Sequence, residues 1–252
     1  MKKLTASVVG LLCSLFTLNA QNDLDRAELI FGIYLGANKA EIKDLKATIM
    51  PETFFTGYTL DPSKMTGFSG GFFVNRRFDQ SLFGLQLELN YGQYGSSLHF
   101  NNSVQDFYYD MDFKYEYVSI APMGKFYFGR LDNGMTGLGH LYIGAGAQFG
   151  TNIASDNIFF TGGGNGWSTL FGSSIEQQQQ LRNVLKGRSN FGLLGSVGYE
   201  FVRKEKDTGF TFDFRYHRGI SDVLETMPNS YNFAETKFNR INYLQAAISF
   251  FF

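Results

Sequence analysis

Cysteine is almost missing from this chain: 252 residues contain one, Cys13. A single thiol near the start excludes an internal disulfide framework and a thiolate metal cage. Proline is scarce as well, at four residues, and only 18% of the chain is charged. Disordered chains are rich in charge and poor in aromatics, whereas this one carries 28 Phe and 14 Tyr, so disorder is excluded. Glycine, at 29, falls far short of the one residue in three that a collagen helix needs. The net charge is −1 with no Lys/Arg block, which removes the electrostatic footprint of a nucleic-acid binder; no nucleic acid is expected as a partner. No run approaches the ~18 consecutive apolar residues of a membrane-spanning helix.

What is present begins at the N-terminus. Met1-Lys2-Lys3 is followed by an apolar stretch from Ala6 to Leu18 and then Asn19-Ala20-Gln21. A basic start, a short apolar segment and a small terminal residue predict a secretory signal peptide over residues 1–20, cleaved after Ala20. The apolar stretch is shorter than the roughly 20 residues that a spanning helix requires. Cys13 sits inside it, after Leu11-Leu12 rather than the small residues of a lipoprotein site. The expected mature domain, 21–252, therefore has no cysteine, and losing Lys2 and Lys3 takes its net charge to −3.

Alternation dominates the rest. Phe83, Leu85, Leu87, Leu89 and Tyr91 share one face, while Gly84, Gln86, Glu88, Asn90 and Gly92 share the other. Leu141, Ile143, Ala145, Ala147 and Phe149 oppose His140, Tyr142, Gly144, Gly146 and Gln148. Phe210, Phe212, Phe214 and Tyr216 oppose Thr211, Asp213, Arg215 and His217, and Leu244, Ala246, Ile248, Phe250 and Phe252 oppose Gln245, Ala247 and Ser249. A period of two is the signature of a strand with two unlike faces. Eight such segments occur, at about 29–38, 67–77, 82–95, 113–128, 139–150, 189–202, 209–219 and 239–252. The expectation is an all-β, up-and-down antiparallel β-barrel of eight strands, since closure removes the exposed edges of an open sheet.

Which face is wet follows from composition. The non-apolar face is built from Gly, Ser, Asn and Gln with few charges, which suits a narrow lumen better than a solubilising exterior. The strands run ~10 residues or more and carry Phe, Tyr and Leu in bulk, as a lipid-facing band with aromatic girdles requires. Connections alternate in length too. Arg77–Ser81, Gly129–Leu138 and Arg203–Thr208 are short, and Asn38–Thr66, Ser96–Asp112, Thr151–Arg188 and Ile220–Phe238 are long. Short periplasmic turns and long outer loops belong to a transmembrane barrel of the cell outer membrane.

The C-terminus, Tyr243-Leu244-Gln245-Ala246-Ala247-Ile248-Ser249-Phe250-Phe251-Phe252, ends on Phe with apolar residues at alternate positions before it. It resembles the terminal signature read by the barrel-assembly machinery, with Phe250 and Phe252 as the assembly signal. Together with Phe31-Gly32-Ile33-Tyr34-Leu35-Gly36 and the run Tyr117–Phe128 through Ile120-Ala121-Pro122-Met123-Gly124-Lys125, the chain resembles the PorT-like outer-membrane β-barrel family. That resemblance implies the fold and the outer-membrane location, and some members serve type IX secretion. Pro122 removes a ladder donor from its strand, so a bulge or a register shift is expected there.

The inward faces carry Glu88, Lys125, Glu200, Asp213 and Arg215. An eight-stranded lumen is only wide enough for its own side chains, so these are expected to pair as a polar plug; a conducting network is the alternative. His99, His140 and His217 lie in no ligand spacing, and no metal site is expected. A loop site built from His99, Asp106 and a serine would imitate an outer-membrane hydrolase but has no supporting pattern. Gly162-Gly163-Gly164-Asn165-Gly166 lacks the Gly-Lys-Ser/Thr ending of a phosphate loop and is expected to be a flexible outer loop. Ser173 and Glu176 form a capping box that predicts a short loop helix over about 174–186. Outer-loop aromatics, among them Phe54, Phe55, Tyr58, Phe107, Tyr108, Tyr109, Phe159, Phe160 and Trp167, could serve a binding surface.

The expected function is a non-enzymatic envelope scaffold that binds a partner, with a secretion accessory as the version the resemblance suggests. A narrow channel for ions or small solutes is the alternative, and an outer-membrane enzyme ranks last. No cofactor is expected. The expected partners are outer-membrane lipid and lipopolysaccharide, the barrel-assembly machinery, and envelope or secretion proteins. A wider, ten-stranded barrel would follow if Phe54–Leu60 or Asn157–Thr161 paired into the wall.

Overall fold

The computed structural model describes residues 28–45, 58–78, 82–104, 106–128, 140–153, 158–164, 185–202, 208–226 and 238–252, with 176, 179 and 182. The expected signal peptide and its cleavage point lie outside the described residues. The described elements are β1 (Glu28–Ile42), β2 (Tyr58–Arg77), β3 (Phe83–Asn102), β4 (Phe107–Phe128), β5 (His140–Asn152), β6 (Ile158–Gly163), β7 (Leu185–Gly187), β8 (Asn190–Val202), β9 (Gly209–Gly219), β10 (Leu224–Thr226) and β11 (Ile241–Phe251).

Eight of these strands form a closed antiparallel ring, in the order β1-β2-β3-β4-β5-β8-β9-β11, and each corresponds to one of the eight alternating segments. The ring shuts where β11 pairs with β1, from Gly32↔Phe251 to Ile42↔Ile241. The Phe252 amide extends that seam by donating to the Phe31 carbonyl at 2.9 Å. Closure leaves no strand of the wall with a free edge at mid-height, a necessity wherever no water is present to satisfy the backbone.

The strands are longer at one end than alternation predicts. β2 starts at Tyr58, and β3 and β4 pair without interruption up to Asn102↔Phe107. The expected long loop Ser96–Asp112 is therefore mostly a hairpin. Alternation of apolar residues stops there because Ser97, His99, Asp110 and Asp112 break the apolar face on the outer side. β6 pairs with the top of β4, from Phe113↔Ile158 to Tyr108↔Gly163. So Tyr58–Leu60 prolongs β2 and the 158–163 segment lies above β5; neither widens the ring to ten strands. The expected glycine-rich loop likewise starts inside β6, at Gly162 and Gly163.

No complete helix is delimited among the described residues. The loop helix expected over 174–186 falls mostly outside them, and its last two positions, Leu185 and Lys186, are strand. Leu185 is buried and pairs with Thr226 in a small outer ribbon, which outweighs the local capping signal.

Pro122 causes neither a bulge nor a shift. β4 keeps one register with β5 on both sides of it, from Ile120↔Phe149 to Met123↔Gly146, and pairing lapses only at the two residues between. Toward β3 the Leu87↔Pro122 pair is intact. The irregularity lies instead between Lys64 and Ser69 of β2, where the register against β3 slips by one. Gly67 permits it: a Cβ there would stand 2.2 Å from the Gln93 carbonyl oxygen.

Outward positions form a continuous apolar band. Leu35, Phe68, Phe72, Phe214, Leu244 and Phe250 are all at least half exposed. The band ends on one side at Lys39, Thr66, Glu116, Thr151 and Arg218. It is thus about nine residues tall along each strand, the span of a tilted strand across hydrocarbon. Leu35→Arg, in the middle of that band, is expected to destabilise the protein by ~2–4 kcal/mol, while Leu35→Met is nearly neutral. Guanidinium unfolding in lipid vesicles measures both; equal stability of Leu35→Arg and the parent would contradict a lipid-facing band.

Candidate functional site

Inward positions carry the charges. Glu88 on β3, Lys125 on β4, Glu200 on β8, and Asp213 and Arg215 on β9 are each at most 4% exposed. Strand alternation delivers them, because each occupies the face opposite a lipid-facing Leu, Phe or Val.

Arg215 is the hub. Its Nη1 donates to Glu88 Oε2 at 2.7 Å, and its Nε donates to Asp213 Oδ2 at 2.6 Å. Glu88 also accepts from Gln86 Nε2 at 2.5 Å and from Asn90 Nδ2 at 3.4 Å. The guanidinium lies 4.8 Å from the centre of the Tyr34 ring, so its face as well as its edge is used. Glu88 and Arg215 are 127 residues apart in sequence and sit on strands that are not neighbours, so the pair crosses the lumen.

Glu200 is bound by a residue the alternation argument omits. Arg77, placed by the sequence in a short turn, ends β2 and donates its Nη2 to Glu200 Oε1. It also stacks 4.6 Å from the Tyr127 ring centre, and Asn75 Nδ2 donates to the Tyr127 hydroxyl at 2.9 Å. The signal was available: Arg77 is two residues beyond Asn75, on the same inward face. With Arg77 included, three carboxylates face three cations, and the buried charge balances. The five residues picked from sequence alone leave one negative charge in excess.

Lys125 is held differently. Its ammonium lies 4.2 Å from the Tyr142 ring centre, and no carboxylate is within ion-pair distance of it among the described residues. Gly198 makes room for that ring, since a Cβ there would stand 2.5 Å from it.

Above the charged tier the interior turns aromatic. Tyr243 stacks on Tyr94 at 4.5 Å and on His217 at 4.6 Å, and its hydroxyl donates to Gln148, which in turn donates to Ser119 at 2.8 Å. Higher still, Leu98, Phe100, Met111, Phe113, Tyr115, Ile158, Phe160, Leu185 and Leu224 pack into one buried cluster. The Tyr115 phenol lies above the end of β5, and burial raises its pKa beyond the ordinary tyrosine range. Of the aromatics expected in outer loops, Tyr109 and Phe160 belong to this cluster, whereas Tyr108 and Phe159 are exposed; Phe54, Phe55 and Trp167 lie outside the described residues.

The histidines stay apart. His217 receives its place from Tyr243, with its Nδ1 3.2 Å from the Ile241 carbonyl, and His140 meets the Tyr127 ring edge-on. His99 is in β3 rather than a loop, and its acidic partner is Asp110, at 2.5 Å, not Asp106. Ser97 donates to Asp112 rather than to His99. No nucleophile-base pair forms there. Phe250 and Phe252 sit at the end of the seam strand, both pointing outward and more than half exposed.

A closed antiparallel ring with an apolar exterior and a charged, aromatic interior defines the class of membrane-spanning β-barrels. The chain belongs to the outer membrane protein beta-barrel domain family, whose model matches residues 19–225, and its location is the outer membrane. Among solved structures it is similar to the outer membrane protein OprG from Pseudomonas aeruginosa, with 12% identity, 90% of this chain and 97% of that chain covered, and a TM-score of 0.43. It is also similar to Neisserial surface protein A, at 12% identity, 88% and 95% coverage and a TM-score of 0.41. A third is Ail, the attachment invasion locus protein of Yersinia pestis, in complex with the heparin analogue sucrose octasulfate, at 18% identity, 89% and 99% coverage and a TM-score of 0.33. A search of curated proteins finds no match.

Arg215→Leu leaves Glu88 and Asp213 buried without their shared cation and is expected to cost about 3–5 kcal/mol. Replacing all three by apolar residues of similar size should recover most of that loss. Unfolding followed by the shift in gel mobility on heating measures both; a single variant as stable as the parent would show that the network contributes nothing.

Proposed function

We propose that the protein is a non-conducting, non-enzymatic scaffold of the outer membrane, whose barrel anchors an outer platform that binds a partner. The observation that carries this reading is the double obstruction of the interior, by the Arg215 network at mid-height and the aromatic cluster above it. The upper ends of β2, β3 and β4, with β6, supply the platform: a sheet prolonged beyond the apolar band, with one face resting on the aromatic cluster. Its other face presents His99, Tyr108, Phe159 and Thr161, all exposed, with the half-buried Asp110 beside His99. Rigid, mixed aromatic and polar surfaces of this kind suit recognition. The PorT-like resemblance supports a secretion accessory as the particular role, with an envelope protein as the partner and Phe250 and Phe252 as the signal read during assembly.

A narrow channel is the second reading. It is favoured by inward polar atoms with no protein partner, on Asn38, Ser69, Asn190 and Ser196, because buried polar groups of this kind are ordinarily hydrated. Planar bilayer recording separates the two. The purified protein is expected to give no steady conductance, and a photo-crosslinker at position 108 or 161 should capture a discrete envelope protein in cells. Steady ion current at every insertion, with only lipid adducts at 108 and 161, would overturn the scaffold reading in favour of the channel.

A further inference from the structure

The lipid-facing band is not evenly filled. Two adjoining hollows of about 680 and 440 Å3 open on its outer side and share Ala37, Phe214 and Ala246. Small residues make the floor: Ala37 of β1 pairs directly with Ala246 of β11, and a Cβ built on Gly195 of β8 meets nothing within 4 Å. Large ones make the walls: Leu35 and Phe212 lie below, Leu244 and Tyr216 above, and Phe68, Phe214 and Val197 at the level of the Ala37–Ala246 pair. The result is an apolar depression over β1 and β11 that reaches Gly195 of β8 between Phe214 and Tyr216 of β9.

Its outer end is cationic. Lys39 lines the upper hollow, and Arg218 stands one outward position above Tyr216 on β9, two strands across and two residues up from Lys39, or about 12 Å. Both side chains are exposed, and neither has an ion-pair partner among the described residues. The nearby carboxylate, Glu41, is engaged by Lys43 at 2.8 Å and by Lys64 at 3.9 Å. Lys39 and Arg218 also mark where the apolar band stops, the depth at which lipid headgroups lie.

We infer that this groove is a binding site for one lipid with a phosphate headgroup, its acyl chain lying over Ala37, Ala246 and Gly195 and its phosphate between Lys39 and Arg218. A flexible hydrocarbon chain fills an elongated hollow of small residues, and the two unpaired cations complement the charge at its head. A second copy of the chain is the competing occupant. It fits less well, because Lys39 and Arg218 would then be brought against a surface that the groove itself does not neutralise.

The test uses the full mature chain in detergent, mixed with equal amounts of dioleoyl phosphatidylglycerol and dioleoyl phosphatidylcholine, and native mass spectrometry counts what is retained. One phosphatidylglycerol per chain is expected, with about thirtyfold preference over phosphatidylcholine, the size of effect two surface cations supply. Lys39→Gln with Arg218→Gln should abolish the preference while weak retention of both lipids persists. Gly195→Leu should fill the groove and reduce retention of both, with its heat-induced gel shift unchanged. Equal retention of the two lipids by the parent chain would overturn the site, as would a preference that survives removal of both cations. A two-chain mass lost in Gly195→Leu would overturn it too, and would identify the groove as a contact between copies. None of these outcomes depends on whether the lumen conducts.

Discussion

Everything in this structure depends on closing the sheet between its first and last strands. In hydrocarbon a backbone amide has no solvent partner, so the wall must satisfy its own hydrogen bonds all the way round. The β1–β11 seam does this over its whole length and gains two further bonds between Phe252 and Phe31 at the C-terminal residue. Once the ring is shut, each strand has one face in lipid and one in a narrow tube. A Phe or Leu at one position and a charge at the next is then the only arrangement that suits both.

The tube is too narrow for its charges to stay solvated, and that decides the chemistry inside it. Arg215 can be buried because it meets Glu88, Asp213 and the Tyr34 face at once. Glu200 can be buried because Arg77 reaches in from the end of β2. Tyrosine rings do much of the remaining work: Tyr127 and Tyr142 offer π faces to Arg77 and Lys125, where a neutral aliphatic side chain would leave a cation exposed to an apolar wall. Above this level Phe100, Phe113 and Leu98 pack as an ordinary apolar core.

The two ends of the molecule are consequently unlike. On the side of the termini the strands finish with the band itself. On the other side β2, β3 and β4 continue past it, supported from within by the aromatic cluster rather than by lipid from without. The outward groove at Ala37, Ala246 and Gly195 lies just below that transition, where the band gives way to Lys39 and Arg218. An outer platform and a lipid site would each use a different part of this wall.

Alternation in the sequence was enough to determine the strand count, the inward placement of Glu88, Lys125, Glu200, Asp213 and Arg215, and the lipid-facing set, because a period of two is a local property of the chain. The outer ends were not legible. Ser97, His99, Asp110 and Asp112 interrupt the apolar pattern there, and only pairing with β2 and β6 makes those residues strand. Pro122 looked like a disruption, yet its missing donor coincides with a short lapse in the β4–β5 ladder that the β3 side compensates. Arg77 shares the inward face of Asn75, but its partner Glu200 lies 123 residues away, so their pairing is not a local property of the chain. Which charge meets which, and where Ala37 of β1 meets Ala246 of β11, depends on the register of strands distant in sequence, and that register exists only once the ring has closed.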